Sequence, residues 1–361
     1  MEEPGAVGAD IMAGSMIKNP GGDAPGMNAA IRAVVRTATA NDMSVVGIKR
    51  GYNGLLMQNL NPEDDYTLMT ARKVSGIVHR GGTVLMTARC KEFLQPKYQQ
   101  LAIDNMRSLG IEGLVVIGGD GSFAGANALN TLGFPVIGIP GTIDNDLSYT
   151  DTTLGFDTAV NTACECVNHI RETSESHERA SLVTVMGRGC GDIAIHTALA
   201  CGAEFALVPE VKWSVEEVAA RIKWGVVNGK RSTIIIFAEG AFSSLTSDLP
   251  AICERYEALS DIRGDKLTSS KVAEIIEVLS GHETRATVLG YIQRGGTPSA
   301  YDRILAARLG SRAVELLRDD RAGLVVGVQE NRVIEAPIAE IQGVKRPLNA
   351  ELKQLVTTLS L

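Results

Sequence analysis

The stretch PGTIDND, residues 140–146, sets Thr142, Asp144, Asn145 and Asp146 almost side by side directly after the apolar run FPVIGI. Carboxylates this close repel each other, and Asp and Asn favour turns over strand interiors, so a group outside the chain is the expected user of this cluster. Asp144 can accept a proton from a substrate hydroxyl. Asp146 can help position a metal or Asp144 itself, and Thr142 adds a hydroxyl donor. The plainer alternative is an Asx-type turn that caps the next helix.

Two glycine-rich turns point to phosphate. VVIGGDGSFAGANAL (115–129) runs from a buried strand into Gly118-Gly119-Asp120-Gly121-Ser122 and then a helix. Polyphosphate can lie on such a backbone while Asp120 carries or orients Mg²⁺. The sequence is neither a Walker A loop nor GxGxxG, and a tight strand-to-helix turn with a capping aspartate is the alternative. GGDAPGMNAAIR (21–32) leads from two glycines into a helix, whose exposed N–H groups and positive dipole end make an anion site, although any tight turn has this look. Four arginines follow strand ends or lie in polar loops: Arg179, Arg188, Arg285 and Arg294. Guanidinium forks bind phosphate bidentately, and Arg188 and Arg294 have neighbouring glycines that let a ligand approach.

The elements that must hold these groups are legible as alternation. Apolar runs before glycine turns predict buried strands at 43–48, 113–121, 134–141, 181–189, 232–240, 286–292 and 323–328. Helical spacing predicts helices at 28–40, 97–110 and 157–172. Strand alternating with helix means parallel sheets covered on both faces, with ligands beyond the carboxyl ends of the strands, where the glycine and aspartate clusters fall. The segment 241–282 is polar and helix-rich, and reads as a peripheral elaboration.

With 361 residues, 45% of them hydrophobic, the chain can bury two ordinary cores. A formal charge of −7 argues against nucleic acid as a main partner. Six cysteines without CxxC spacing read as reduced cytosolic thiols, and no HExxH or Cys/His cluster is present. No apolar run approaches the roughly 18–20 residues of a bilayer span, and the N-terminus lacks a signal-peptide pattern, so a cytoplasmic protein without membrane attachment is expected.

Taken together, GGDAPGMNAAIR, RGGT…AR (80–89), VVIGGDGS, PGTIDND, GFDTA, SHERA, VMGRGCGD, AEG, ETRATVLGYIQRGGTPSAYDR and KRP (345–347) resemble the bacterial-type ATP-dependent 6-phosphofructokinase family from about Gly21 to about Arg346. The resemblance implies an α/β fold of two three-layer α/β/α domains with mostly parallel sheets. An ATP-binding domain would span 1–155 plus about 293–343, and a fructose 6-phosphate-binding domain 156–292 plus about 344–361. It implies ATP as co-substrate, Mg²⁺ as cofactor, phosphorylation of fructose 6-phosphate at its 1-hydroxyl, and a homotetramer, with a dimer as the alternative. Asp144 would be the general base, and Arg188 and Thr142 would meet the transferring phosphoryl. Asp120 would hold the metal. Gly21, Arg89, Cys90, Gly119, Asp120, Gly121, Ser122 and Gly125 would line the nucleotide site. Thr142, Ile143, Asp144, Met186, Gly187, Arg188, Glu239, Tyr291, Ile292, Gln293 and Arg294 would hold the sugar phosphate, helped by Arg179 and Arg285 of a neighbouring subunit.

Pyrophosphate-using relatives have Asp where Gly121 stands and Lys where Gly141 stands, so the two glycines imply ATP. The stretch GSMIKNP departs from the family's usual first strand, since Pro20 cannot donate to a sheet, and Tyr291 stands where many members have histidine. Arg32, Arg36, Arg171, Glu204 and Lys230 match the family's effector pocket, but Asn228 replaces a lysine there and Gly76 an aspartate. Weakened or absent effector control is expected. Two other readings stand beside this one: a pyrophosphate-dependent relative, and a catalytically silent subunit that binds sugar phosphate or nucleotide.

Overall fold

The computed structural model describes residues 10–15, 23–57, 60–62, 64–246 and 248–360, with the backbone alone over 10–15. It divides into two compact units. One comprises residues up to Ile143, Leu147–Thr158 and Arg294–Arg346; the other comprises Asp144–Asp146, Ala159–Gln293 and Pro347–Leu361.

In chain order the first unit contains β1 (Asp10–Ser15), α1 (Met27–Ala40), β2 (Val45–Ile48), α2 (Tyr52–Leu55), β3 (Tyr66–Met69), α3 (Pro96–Ser108), β4 (Ile111–Gly118), α4 (Asp120–Thr131) and β5 (Val136–Pro140). The chain then enters α5 (Phe156–Ser176), β6 (Ala180–Val185), α6 (Asp192–Cys201), β7 (Phe205–Leu207), α7 (Val215–Val227), β8 (Thr233–Ala238), α8 (Phe242–Thr246), α9 (Leu249–Arg255), α10 (Ser269–Ser280) and β9 (Thr284–Val288). Then α11 (Ala300–Arg318), β10 (Leu324–Gln329) and β11 (Arg332–Pro337) return to the first unit, and α12 (Ala350–Leu359) to the second.

Among the described residues the first unit has a sheet ordered β11-β10-β5-β4-β1-β2-β3, parallel except at its two edges, where β11 and β3 run antiparallel to their neighbours. The second unit has a wholly parallel sheet ordered β7-β8-β6-β9. Apolar runs occupy the sheet centres: β5, β6 and β8 are buried along their whole length, as strands covered on both faces must be. In the first unit Ile103, Met106, Leu114, Val116, Phe123, Leu129 and Val136 form one continuous core.

The structure corrects two expectations. The strand expected at 286–292 runs from Thr284 to Val288, and Gly290–Arg294 forms a 3₁₀ turn, so Tyr291 and Ile292 leave the sheet and are mostly exposed. The segment 241–282 is not merely peripheral: α10 buries Val272, Ile275, Ile276 and Leu279 against α7 and β9. Its apolar residues recur at helical spacing among charges, which hides the buried face in a linear reading. β1 lies between β2 and β4 and reaches Ser15, whereas Pro20 and Gly21 fall outside the described residues.

Helix starts differ in how they are capped. α7, α10, α11 and α12 begin with Ser214, Thr268, Ser299 and Asn349, whose side chains accept a first-turn N–H. α1, α4 and α6 begin at Gly26, Gly119 and Gly191 with no side-chain cap. At these three starts the N-cap itself supplies no side chain, at ends where the sequence also concentrates glycine and aspartate.

Candidate active site

In the first unit Gly119–Ser122 follow the carboxyl end of β4, and Gly141 and Thr142 follow that of β5. Gly119 is the N-cap of α4 and Asp120 its first helical residue, exposed in the first turn. A capping role for Asp120 is therefore not what the structure has. A Cβ on Gly119 would lie 3.4 Å from Thr142, so the two strand-end turns adjoin. Gly141 closes them, its N–H donating to Gly118 O at 2.9 Å, and the Thr153 hydroxyl donates to Thr142 O at 2.6 Å. A side chain at Gly141 has little room: its Cβ would meet Ile117 at 2.9 Å and Met27 at 3.1 Å. Ile143 is fully buried. The cluster at 142–146 does not cap the next helix, since α5 begins only at Phe156.

Ser122 and Gly125 both meet a residue the sequence reading missed. Tyr52 on α2 donates its hydroxyl to Ser122 O at 3.1 Å and stacks on Phe93 with ring centroids 3.9 Å apart. A Cβ on Gly125 would lie 2.3 Å from the Tyr52 ring, so glycine there makes room for the aromatic pair. Asn53, the next residue, donates to Arg89 O at 3.4 Å. Cys90 is buried, and burial raises its thiol pKa. No sequence pattern singles out a tyrosine used this way. Gly21 lies outside the described residues.

In the second unit Asp144 is buried, and the adjacent Asn145, with φ of 53°, donates its amide to Asp192 Oδ2 at 2.9 Å. Asp192, in the quoted motif VMGRGCGD, was given no role by the sequence reading. Beyond β6 the chain turns through Gly187 (φ 126°) and Arg188 (φ 53°). A Cβ on Gly187 would fall 2.5 Å from Cys190 O, and one on Gly240 would fall 2.2 Å from Arg188 O. The turn is therefore packed backbone to backbone. Arg188 N–H donates to Glu239 Oε1, at the end of β8, at 2.8 Å, while its side chain is exposed. Met186 N–H donates to Gln293 Oε1 at 3.2 Å, and Gln293 is fully buried.

The carboxylates here are numerous enough to shape the local field. Burial, with Asp192, Glu210 and Asp146 nearby, pushes the Cys190 thiol up to about 12. No group of three or more His, Cys, Asp or Glu side chains arranged to hold a metal occurs among the described residues. A lone exposed Asp120 beside a glycine turn matches Mg²⁺, which keeps its waters and binds through one or two carboxylates plus substrate phosphates.

Arg294 belongs to the first unit. It is buried, its Nη1 donates to Asp23 O at 3.3 Å, and its Nε has no hydrogen-bond partner among the described residues. Arg179 and Arg285 both pair with Glu283, at 3.8 and 2.9 Å. Of the candidate effector residues, Glu204 and Lys230 form an ion pair, and Glu204 also accepts Ile234 N–H at 2.6 Å. Both line a cavity of about 260 Å³ with Arg221, Trp224, Asn228 and Thr233. Arg171 donates to Cys201 O at 2.5 Å. Arg32 and Arg36 lie on α1 of the first unit.

The phosphofructokinase family model matches residues 15–317. Curated relatives named ATP-dependent 6-phosphofructokinase, from Clostridium tetani and Clostridioides difficile, are 48% and 49% identical to this chain, covering 94% of it and 97% of each relative. Phosphofructokinase from Saccharomyces cerevisiae superposes with a TM-score of 0.78 at 32% identity over 97% of this chain, which spans 46% of that yeast chain. A pyrophosphate-dependent phosphofructokinase from Marinobacter aquaeolei shares the fold, with a TM-score of 0.76 at 20% identity over 97% of this chain and 91% of that one. From glycine turn to arginine turn, motif order, fold and sequence agree, and the chain belongs to the phosphofructokinase family.

Proposed function

We infer that this protein is an ATP-dependent 6-phosphofructokinase, a phosphotransferase of glycolysis that moves the γ-phosphoryl of ATP to the 1-hydroxyl of fructose 6-phosphate. The observation that carries this reading is near-half identity, over almost the whole chain, to enzymes of that name.

Asp144 accepts the proton as the 1-hydroxyl oxygen attacks the γ-phosphorus and the bond to the bridging oxygen of ADP breaks. Its burial supports this role, because it keeps bulk water from competing with the bound hydroxyl. Arg188 meets the charge on the moving phosphoryl, and the bond from its N–H to Glu239 supports a pre-set backbone for that task. Thr142 adds a hydroxyl donor for the same phosphoryl. The uncapped start of α4, with Gly119, Gly121, Ser122 and Gly125, receives the nucleotide phosphates, and Arg89 and Cys90 its remainder. When bound, Mg²⁺ supplies charge to the β- and γ-phosphates, and Asp120 is the residue that holds it.

Met186, Gly187, Glu239, Ile143, Tyr291, Ile292, Gln293 and Arg294 form the sugar-phosphate side. The Nε of Arg294, without a partner among the described residues, supports a phosphate ligand there. Arg179 and Arg285, tethered by Glu283, reach the phosphate of a neighbouring subunit in a homotetramer. The described residues include no helix long and apolar enough to cross a membrane, and the cytoplasm is the proposed location.

Pyrophosphate as donor is disfavoured by Gly141, where a lysine would have to displace Ile117 and Met27. Initial rates with ATP and with pyrophosphate, each with and without fructose 6-phosphate, test the reading. Turnover with pyrophosphate alone, or with neither donor, defeats it.

A further inference from the structure

Asp302, in the first turn of α11, is fully buried, and three donors converge on its carboxylate. Gly155 N–H donates to it at 2.8 Å, Thr158 N–H at 2.9 Å, and the Thr158 hydroxyl makes a third, shorter bond. The same knot runs backward along the chain. Asp302 N–H donates to Ser299 Oγ at 3.2 Å, the Ser299 hydroxyl donates to Asp157 at 2.5 Å, and Ser299 N–H donates to Thr158 Oγ1 at 3.0 Å.

A buried carboxylate is a costly way to fill space, since an apolar side chain would fill it with no desolvation penalty. What it supplies is directional: it fixes two backbone N–H groups at set positions. Gly155 (φ 102°) is the floor under the Ala24–Pro25 turn, because a Cβ there would lie 2.8 Å from Ala24 Cβ and 3.0 Å from Pro25 O. Gly26, the N-cap of α1, presses on Leu154, at 2.8 Å from where its Cβ would be, and on Asp302 Cβ itself, at 3.5 Å. At the other end, Ser299 is five residues beyond Arg294, whose guanidinium reaches back to Asp23 O. Gly296 in between has its carbonyl 2.2 Å from where a Cβ on Gly81 would stand, so the loop carrying RGGT is seated on the same turn.

We propose that Asp302 is a positioning residue for the phosphoryl-transfer reaction, fixing the Asp23–Gly26 turn and the Arg294–Ser299 turn against each other so that their anion-binding groups are set before substrate arrives. The inference rests on the reading of the α1 start as a nucleotide-side element and of Arg294 as a sugar-phosphate ligand. Groups held by a fixed network act without reorganising, and displacements near 1 Å can cost on the order of 10²-fold.

Steady-state kinetics of the full chain test it. Asp302→Asn keeps the shape but replaces one acceptor oxygen with a donor facing an N–H. It is expected to raise half-saturating ATP and fructose 6-phosphate by about 5- to 50-fold while kcat changes by less than about 3-fold. Thr158→Val, which leaves Asp302 in place, is expected to give a smaller rise of about 3- to 10-fold, and Thr158→Ser to restore both values; this pair decides the matter if Asp302→Asn does not fold. Variants that lower the melting temperature but leave both half-saturation values within about 2-fold of wild type would assign the knot to stability alone and overturn the proposal. Arg294→Ala serves as the reference. If it leaves the fructose 6-phosphate value unchanged, the reading of Arg294 fails, and the Asp302 proposal is then decided by the ATP value, which reports the Asp23–Gly26 turn.

Discussion

The backbone N–H of Arg188 is held by the carboxylate of Glu239 at 2.8 Å, across the ends of the neighbouring strands β6 and β8. Arg188 sits at a φ of 53°, where a non-glycine residue needs support from its surroundings. Glu239→Ala removes that support and should lower kcat by at least about 10-fold, whereas Glu239→Gln keeps an acceptor oxygen and should lose less. Equal losses for the two variants would show that the charge of Glu239, and not its hold on the turn, is what matters.

Asp144→Ser should leave substrate affinities nearly intact and cut turnover by roughly 10² to 10⁴, the range for loss of a general base. Near-wild-type turnover in rapid-quench assays would remove Asp144 from the mechanism.

The two glycines that bear on donor choice should fail in different ways. Gly121→Asp should weaken ATP use, measured as a raised half-saturation value, because a carboxylate would repel the nucleotide phosphates. Gly141→Ala should cost about 1–3 kcal/mol in urea unfolding, since its Cβ would press on Ile117 and Met27. An unaltered unfolding midpoint for Gly141→Ala would mean that the strand end relaxes freely.

Burial raises the Asp302 carboxyl from its ordinary 3.8 to about 6, with Asp157 adding to the rise and the Thr158 and Gly155 donors opposing it. The folded chain therefore holds this proton more tightly than the unfolded one. The stability linked to it is full below about pH 4 and is lost as pH rises through about 6. Wild type should thus be more favoured over Asp302→Asn at pH 5 than at pH 7.5, by about 1–2 kcal/mol in denaturant unfolding. A gap that is constant with pH would place the Asp302 pKa near its unfolded value.

Asn228 donates its amide to Trp224 O at 2.7 Å at the end of α7, at the position where the proposed effector pocket would have a lysine. Each charge-assisted contact is worth about 1.5–3 kcal/mol. Phosphoenolpyruvate should therefore raise half-saturating fructose 6-phosphate only slightly, and Asn228→Lys should strengthen the effect. Strong cooperative inhibition of the unaltered protein, read from saturation curves, would refute this.

The parallel sheets were legible because runs such as LVVIG and TIIIFA are too apolar for a face open to water, and the strand-end clusters followed from where such sheets leave their loops. β9 was displaced because Leu289 and Ile292 extend its apolar pattern beyond the residues that pair with β6. β11 escaped notice as an edge strand with half-exposed side chains and charges among them. Tyr52 and Asp302 were invisible for a different reason. Their partners lie 70 and more than 140 residues away, and nothing local marks a tyrosine or an aspartate as buried. The candidate site could be read as a set of residue types, but not as the network that holds them.

The stacking of Tyr52 over Gly125 also bears on how variants of this protein are scored. Any side chain at Gly125 would first push apart the Tyr52–Phe93 pair at the heart of the first unit's core. In a growth-based screen such alleles would look like failures of nucleotide use, while the amount of soluble protein in the cell would already have fallen.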